Sequence, residues 1–507
     1  MGFLKNVVRS SLFKEFSEEE QKKWFYVKEK KYISHIDTLY YSVFLKNDFK
    51  GNVSGDIIEF IEVLKEMKDK LEKKQEEFWF DEDETLIYSR KRNRLYDHCI
   101  SMNGMYDIFI ASSLPNDVTP RIHIQLRSYA LWCWGEKNSI NHSFTSLLKI
   151  LSQFDIEVDR VQENRLDYCY HTNYLQSAQE VFEDSYLRKH LKTNLKIYNK
   201  VGRFHDGDLT TEYFSLGQRK SNNVFFRSYN KTREVVEMGY KSFFFEIWLE
   251  QGLISEYDYF VYSDCFNRQR YDSIEFSMAK FYIQYGKDKE YKNILTNMMN
   301  DKNITVNQVR DIIKFILPYP TIIVNIEFQT MRKFYSYGDD LINGLPFLEH
   351  KYDKYLDRLF RIMDNRKIFL NYLTSNTVRF VKNDDLIISS SEDEKIKYCD
   401  FWYRLRKLKI DGIKDSAYAR VYKHNLNIDL LKKRLKGNLA SLSLYLGDEE
   451  SDIQKDMSNL ISILNDNDHK TDEDGCIRII DEEYVRIKEK KKKALNSYLK
   501  KQLPKDL

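Results

Sequence analysis

The feature that most constrains the fold is a short alternating segment at 213–231, with the sequence YFSLGQRKSNNVFFRSYNK. Its β-branched and aromatic runs flank a polar turn at 221–223, a pattern that predicts two antiparallel strands joined as a hairpin. Because side chains alternate across a strand, Phe225, Arg227 and Tyr229 are expected to share one face. The second strand therefore presents a cation beside a phenol.

That pairing has two interpretations. A tyrosine beside cations and near a metal can act as a nucleophile toward a phosphodiester. The alternative is an ordinary amphipathic strand in which Arg227 is exposed and Tyr229 is packed, since tyrosine favours strands. The hairpin alone does not separate the two.

Composition predicts a folded chain of more than one domain. Of its 507 residues, 42% are hydrophobic and 15% aromatic, which argues against long disordered tracts. The 81 basic and 78 acidic residues leave a net charge of only +3. Bulk charge therefore does not require a polyanionic partner, and local charge patterns must indicate one.

Cysteine spacing and hydropathy indicate the compartment. The six cysteines show no CxxC spacing, so a zinc site or a disulfide framework is not expected. No apolar run approaches the roughly 18–20 residues that span a bilayer. The N-terminus resembles a short amphipathic helix more than a signal peptide. We expect a cytoplasmic protein without a membrane partner.

The order of elements predicts an α+β fold with a largely antiparallel sheet, followed by a mostly helical C-terminal region. Strands are expected at 36–44, 105–111, 121–132, 161–171 and 242–249, and helices at 56–78, 143–154, 177–195, 307–317, 352–370, 393–409 and 426–446.

We expect four regions along the chain. They are a helical extension at 1–30, an α+β domain at 31–285 that is either catalytic or ligand-binding, a helical region at 286–446, and an acidic linker with a basic tail at 447–507. The tail carries eight Lys and Arg residues between Arg486 and Lys501. It is either a solvated face or a source of non-specific phosphate contacts.

The strand at 161–171 is the first candidate for metal chemistry. Arg165, Asp167, Cys169 and His171 are expected on one face, opposite an apolar and aromatic face. Asp167 could bind a metal with His171 as a neighbour, because residues four apart in a strand are roughly 13 Å apart and do not chelate one ion. The alternative is a salt bridge between Asp167 and Arg165.

Two further residues are candidate metal ligands. Glu246 stands in the apolar run FFFEIWLE, where a carboxylate is costly unless paired or bound to a cation such as Mg²⁺ or Mn²⁺. The alternative interpretation is that Glu246 lies on a face exposed at a sheet edge. His123, two residues before Gln125, is similar to the His-hydrophobic-Gln metal motif of single-strand nicking enzymes. Its alternative is a plain strand histidine.

The turn GQRKS contains Arg219, Lys220 and Ser221, which follow Gly217 closely. Backbone N–H groups and these side chains could converge on a phosphate. Walker spacing is absent, so the turn is not a nucleotide P-loop. The alternative is a solvated basic turn.

In this order the segments resemble the replication initiation factor family, which includes initiators of rolling-circle plasmids and relaxases of conjugative transposons. The family has Arg-hydrophobic-Asp, Gly-x-x-Lys-Ser, Arg-x-Tyr-Asp-Lys and Arg-x-Glu motifs, matched here at 165–167, 217–221, 227–231 and 244–246. The likeness covers about 30–265. This chain departs from it at Asn230, at His171, where a second acid is usual, and at Phe244, where the family has arginine.

The resemblance implies a metal-dependent DNA strand transferase, a site-specific single-strand endonuclease of replication initiation. Tyr229 would attack and form a 5′-phosphotyrosyl link, with Mg²⁺ or Mn²⁺ held by Asp167 and Glu246. The residues implied in charge balance and DNA binding are Arg165, Arg219, Lys220, Ser221, Arg227 and Lys231. Origin DNA is the implied partner, with a host helicase and a second copy of the chain as further candidates.

Three alternatives remain open. A conjugative relaxase would use the same chemistry at a transfer origin. A non-catalytic DNA-binding protein would use the tyrosine only for packing. The third alternative is a host-derived structural α+β protein.

Overall fold

The structure, a computed structural model, describes residues 15–410 with gaps, and two short stretches at 469–471 and 477–479. The gaps are 75–77, 82–85, 94, 176–183, 196–197, 206–207, 220–222, 240, 302, 337–338, 346–352 and 383–396. The chain forms two compact units, Met1–Val421 and Tyr422–Leu507. In the second unit the described residues are an antiparallel pair of strands, β16 (His469–Thr471) and β17 (Ile477–Ile479).

The first unit is built on one sheet of eleven strands in the order β11-β12-β13-β14-β9-β1-β8-β7-β6-β5-β4. Every neighbouring pair in this order is antiparallel, which confirms the predicted α+β fold with a largely antiparallel sheet. The strands of the sheet are β1 (Tyr32–Leu45), β4 (Phe78–Asp81), β5 (Leu86–Tyr88), β6 (His98–Met102), β7 (Tyr106–Ile110), β8 (Ile122–Leu126), β9 (Val158–Thr172), β11 (Tyr198–His205), β12 (Asp208–Leu216), β13 (Val224–Asn230) and β14 (Val324–Met331).

Two small two-stranded sheets accompany it. They pair β2 (Asp48–Phe49) with β3 (Asn52–Val53), and β10 (Leu191–Thr193) with β15 (Val378–Phe380).

Helices cover the sheet. They are α1 (Glu18–Phe25), α2 (Gly55–Lys74), α3 (Ser128–Cys133), α4 (Glu136–Ser152), α5 (Asp184–His190), α6 (Lys231–Met238), α7 (Phe243–Glu250), α8 (Glu256–Arg268), α9 (Ile274–Tyr285), α10 (Lys289–Asn300), α11 (Val306–Ile316), α12 (Arg332–Ser336), α13 (Asp339–Gly344), α14 (Asp357–Asp364), α15 (Arg366–Tyr372) and α16 (Asp400–Arg406). Within the described residues no helix is both long enough and apolar enough to cross a bilayer.

The two faces of the central strands differ in chemistry. Leu166, Tyr168 and Tyr170 of β9 lie in the main hydrophobic core, as predicted, and Phe226 and Phe328 join them from the neighbouring strands. The residues that alternate with these are mostly polar. A second hydrophobic core is formed by residues of α6–α11 and α1.

The predicted hairpin is confirmed. Strands β12 and β13 pair antiparallel, with Tyr213 opposite Tyr229 and Ser215 opposite Arg227. The predicted strand at 161–171 is also confirmed, as the longer β9. The strand expected at 121–132 is right only for β8, because the chain turns into α3 at Ser128.

The strand expected at 242–249 is wrong, because this run is helix α7. Phe244, Phe245 and Trp248 are buried and Glu246 and Glu250 are exposed. That is the spacing of a helix with one buried face. A short apolar run does not distinguish a strand from a buried helix by its periodicity alone.

A strand was also missed. Strand β14 lies beyond residue 285, in the part of the chain expected to be helical, and it pairs with β13 and β9. The division of the chain into four regions stays a prediction. The helix expected at 426–446, the acidic linker and the basic tail lie largely or wholly outside the described residues, and the helix expected at 177–195 is described only from 184, as α5 followed by β10.

Candidate active site

The candidate site is a polar row across the middle of the sheet. In the strand register, Arg227 of β13 is opposite Glu327 of β14, and Glu327 is opposite Cys169 of β9. The adjacent row aligns Tyr229, Asn325 and His171 in the same way. Opposite residues on paired strands point to one face, so the register brings these side chains together.

The Tyr229 hydroxyl has three polar partners. Asn325 Nδ2 donates to it at 3.0 Å, Lys231 Nζ donates at 3.4 Å, and the hydroxyl donates to Glu327 Oε2 at 3.4 Å. The side chain is 6% exposed. Burial raises the pKa of the Tyr229 phenol well above its ordinary value, although Lys231 opposes the shift. At rest the phenol therefore stays protonated.

Glu327 is a fully buried carboxylate that the strand order holds against an arginine. Arg227 Nε donates to Glu327 Oε1 at 2.6 Å. Burial acts to raise the pKa of Glu327, but the Arg227 guanidinium outweighs it and the pKa lies below its usual range. Glu327 is therefore an ionised acceptor beside the Tyr229 hydroxyl.

Lys231 begins helix α6 and is completely buried. Its ammonium lies 2.5 Å from Glu234 Oε2 and 5.0 Å from the centre of the Phe244 ring. Burial acts to lower the pKa of Lys231, but Tyr229, Asp37 and Glu234 raise it well above its ordinary value. A charged buried lysine is stable only when paired in this way.

Asp167 forms a salt bridge with Arg165, the alternative to a metal role. Arg165 Nε donates to Asp167 Oδ1 at 2.8 Å, and the second guanidinium nitrogen contacts the other carboxylate oxygen. Burial raises the pKa of Asp167 to about 6, against the opposing effect of Arg165. Arg165 is thus tied to this carboxylate.

One group among the described residues could hold a metal ion. Ligand atoms of Asp37, Cys169 and Glu327 lie within 4.8 Å of one another, and all three residues are buried. Asp37 is the extra residue of a bulge in β1, between the pairs Ile36–Tyr168 and Thr38–Asp167. A bulge redirects a side chain.

The donor chemistry of this group fits a divalent cation. Asp37 Oδ1 is buried without a hydrogen-bond partner. Burial acts against ionisation of Asp37, but the Lys231 and Lys241 ammoniums hold its pKa well below the usual range. Burial raises the pKa of the Cys169 thiol well above its ordinary value, so the two carboxylates carry the negative charge of the group.

The two predicted histidine ligands lie outside that group. His171 Nδ1 accepts from Trp248 Nε1 at 3.1 Å, and burial holds the His171 pKa well below its ordinary value. His123 Nδ1 lies 2.9 Å from Asn164 Nδ2, and burial lowers the His123 pKa to about 4. Both imidazoles are therefore neutral near pH 7, the form in which a histidine binds a metal, and a ligand role for either residue stays a prediction.

The other predicted ligand, Glu246, is exposed on α7 and is not among the three grouped donors. Of the turn predicted to bind phosphate, Lys220 and Ser221 lie outside the described residues. Arg219 is exposed, and its Nε donates to Gln329 Oε1 at 3.2 Å. Arg219 is therefore in contact with β14.

Sequence reasoning missed Asp37, Asn325 and Glu327. The segment Val324–Met331 alternates apolar Val, Ile and Phe with Asn, Glu and Gln, a period-two signal that could have identified the strand. No comparable signal marks Asp37, whose position depends on the bulge.

No protein-family model matches the sequence, and no curated protein matches it. Among solved structures the chain is similar to a rolling circle replication initiator protein from Geobacillus stearothermophilus, with 10% identity and a TM-score of 0.33. That likeness covers 75% of this chain and 100% of the other. A likeness this faint carries no weight for function, which we infer from the geometry of the site.

Proposed function

We propose that the chain nicks and rejoins single-stranded DNA through Tyr229, as an initiator of rolling-circle replication. The observation that carries the proposal is the Tyr229 hydroxyl, which is in contact with an ionised carboxylate and two nitrogen donors. Neutral tyrosine is a weak nucleophile, and activation needs a proton acceptor together with stabilisation of the phenolate.

The neighbouring residues fit those two needs. Glu327 would accept the phenol proton, and Lys231 and Asn325 would stabilise the negative charge that develops on the oxygen. The phenolic oxygen bonds to phosphorus as the bond from phosphorus to the 3′-oxygen breaks, and the 3′-oxygen takes up a proton from water, which balances the proton that the phenol gave to Glu327. The product is a 5′-phosphotyrosyl link and a free 3′-hydroxyl. The reverse reaction rejoins the strand without ATP.

Asp37 and Glu327, with Cys169 beside them, are the residues that would hold Mg²⁺ or Mn²⁺. A bound divalent cation supplies Lewis-acid polarisation of a phosphoryl oxygen. Carboxylate oxygens suit both ions. Asp167 is paired with Arg165 and is not one of the three grouped donors, so in this proposal it is not a metal ligand.

The charges of the site are consistent with an anionic substrate. Four cations face four carboxylates, so the resting network is close to neutral; the cations are Arg165, Arg227, Lys231 and Lys241, and the carboxylates are Asp37, Asp167, Glu234 and Glu327. A divalent cation would add two positive charges and a phosphodiester one negative charge, while transfer of the phenol proton to Glu327 only moves charge within the network. The loaded site would carry a net charge of about +1, which suits the additional negative charge that develops on the phosphoryl oxygens.

One observation favours a second candidate, a DNA-binding protein without strand-transfer activity. The Tyr229 side chain is 6% exposed. Its ring makes cation–π contacts with the Arg227 guanidinium, 5.1 Å from the ring centre, and with the Lys231 ammonium, 5.6 Å from it. Such contacts also occur in tyrosines that only pack. A strand must gain access to the hydroxyl before it can react.

The test is incubation of the protein with Mn²⁺ and a supercoiled plasmid that carries the DNA flanking its own gene, followed by SDS and protease. We expect nicked circles and protein-linked DNA, and neither with Tyr229→Phe. Tyr213→Phe is the matched control, because Tyr213 stacks on Tyr229 with ring centres 6.4 Å apart. DNA binding without nicking or linkage would favour the second candidate.

A plasmid with a transfer origin, tested in parallel, distinguishes a conjugative relaxase from a replication initiator. A host helicase and a second copy of the chain remain proposed partners, tested by co-purification and by the mass of the protein in solution.

A further inference from the structure

We propose that the pocket beside Asp37 binds one nucleotide of a single DNA strand next to the nucleophilic tyrosine. The pocket has a volume of about 500 Å³, within the range of small-ligand sites. The identification of the ligand as single-stranded DNA rests on the proposed function. The chemistry of the pocket does not depend on that function.

A pair of cations forms one wall. Lys91 Nζ lies 2.7 Å from Asp107 Oδ1, and the Arg127 guanidinium contacts the other oxygen of the same carboxylate. Asp107 is 1% exposed, whereas the two cationic side chains are 48% and 42% exposed. One buried carboxylate therefore holds two accessible cations in position, with a net charge of +1. This arrangement suits a phosphate group.

An aromatic pair forms another part of the pocket. Tyr129 is 45% exposed, and its ring packs edge-on against Phe243 with centres 5.3 Å apart. Both residues line the pocket. A ring held at this angle by a neighbour is a platform on which a base can stack, and such stacking tolerates any sequence.

The pocket adjoins the candidate active site. Asp37 and Lys241 line it, with Lys241 Nζ 3.6 Å from Asp37 Oδ2. Asp37 also belongs to the group with Cys169 and Glu327. A nucleotide in the pocket would therefore place the adjoining backbone toward that group. Exposed cations and an aromatic platform in the same pocket as Asp37, a member of the metal-binding group, match a nucleotide next to a scissile phosphate.

The test measures binding without cleavage. The full chain is titrated in EDTA against a fluorescent single strand of roughly 12 nucleotides, at several salt concentrations. We expect Tyr129→Ala to weaken binding about tenfold without changing the salt dependence. Lys91→Ala should lower the slope of log affinity against log salt by about 0.7.

The controls are exposed residues of the same types elsewhere. Tyr26 is 57% exposed and Lys314 has a 45% exposed side chain, so Tyr26→Ala and Lys314→Ala should bind like the wild type. Normal binding by both pocket variants, or equal losses in the controls, would overturn the inference.

A third arm uses a 5′-deoxynucleoside monophosphate and inorganic phosphate. If the monophosphate bound as tightly as the strand, the pocket would be a free-nucleotide site and the inference would be wrong. This titration measures binding only, and linkage is measured in the separate plasmid assay. Loss of binding in the pocket variants, together with no DNA linked at Tyr229 in that assay, would support this inference and refute the proposed function.

Discussion

Asn325 Nδ2 lies 3.0 Å from the hydroxyl of Tyr229, the residue directly opposite it on the neighbouring strand. The same nitrogen lies 3.1 Å from Glu327 Oε2. One amide thus orients both the proposed nucleophile and its proposed proton acceptor. The contact joins β13 to β14, strands that are separated by nearly a hundred residues of sequence.

We expect Asn325→Ala to slow the formation of protein-linked DNA by about a hundredfold, the usual effect of removing one donor from a developing oxyanion. Quantifying linked DNA against time after SDS treatment measures this rate. Gln329→Ala is the control, since Gln329 lies on the same strand and contacts Arg219 instead. An unchanged rate in Asn325→Ala would contradict the role of the amide.

The Arg165–Asp167 pair predicts that stability lost in one variant is recovered by a second substitution. Arg165→Ala leaves a fully buried carboxylate without its partner, which we expect to lower the free energy of unfolding by about 3–5 kcal/mol. Adding Asp167→Asn should recover most of that loss, because the uncompensated charge is removed. Urea unfolding followed by circular dichroism measures both effects. A double variant no more stable than Arg165→Ala would refute this account of the pair.

The lowered pKa of His123 predicts that acid destabilises the folded chain. Burial lowers the pKa of His123 from 6.5 to about 4 in the folded chain. Between pH 6.5 and pH 4, therefore, the imidazole is protonated in the unfolded chain and neutral in the folded chain. Its contribution to stability is complete above pH 6.5 and is lost as the pH falls to 4, by roughly 3 kcal/mol at most. Comparing His123→Gln with the wild type by urea unfolding across this range isolates the effect. Parallel stability curves for the two proteins would contradict it.

Metal binding distinguishes the grouped carboxylates from the exposed one. We expect Asp37→Asn and Glu327→Gln each to weaken Mn²⁺ binding about tenfold or more, measured by electron paramagnetic resonance of free Mn²⁺. Glu246→Gln should bind as the wild type does, because Glu246 is exposed on a helix outside the group. The opposite pattern would restore Glu246 as the ligand.

Local alternation was enough to predict the hairpin, the β9 strand and the shared face of Arg227 and Tyr229. The same alternation gave a wrong prediction at 242–249, because a short apolar run can be buried equally well as a helix or as a strand. The site itself depends on non-local pairing. Glu327 meets Tyr229 only because β14 enters the sheet between β13 and β9, and Asp37 joins Cys169 in the grouped donors only through a bulge.

The most direct test of the central claim is the identity of the residue that becomes linked to DNA. Protein trapped on origin DNA with Mn²⁺ is digested with nuclease and trypsin, and the adduct is located by tandem mass spectrometry. We predict a nucleotide on Tyr229. An adduct on Tyr213 or any other residue, or no adduct from protein that binds the DNA, would contradict the account.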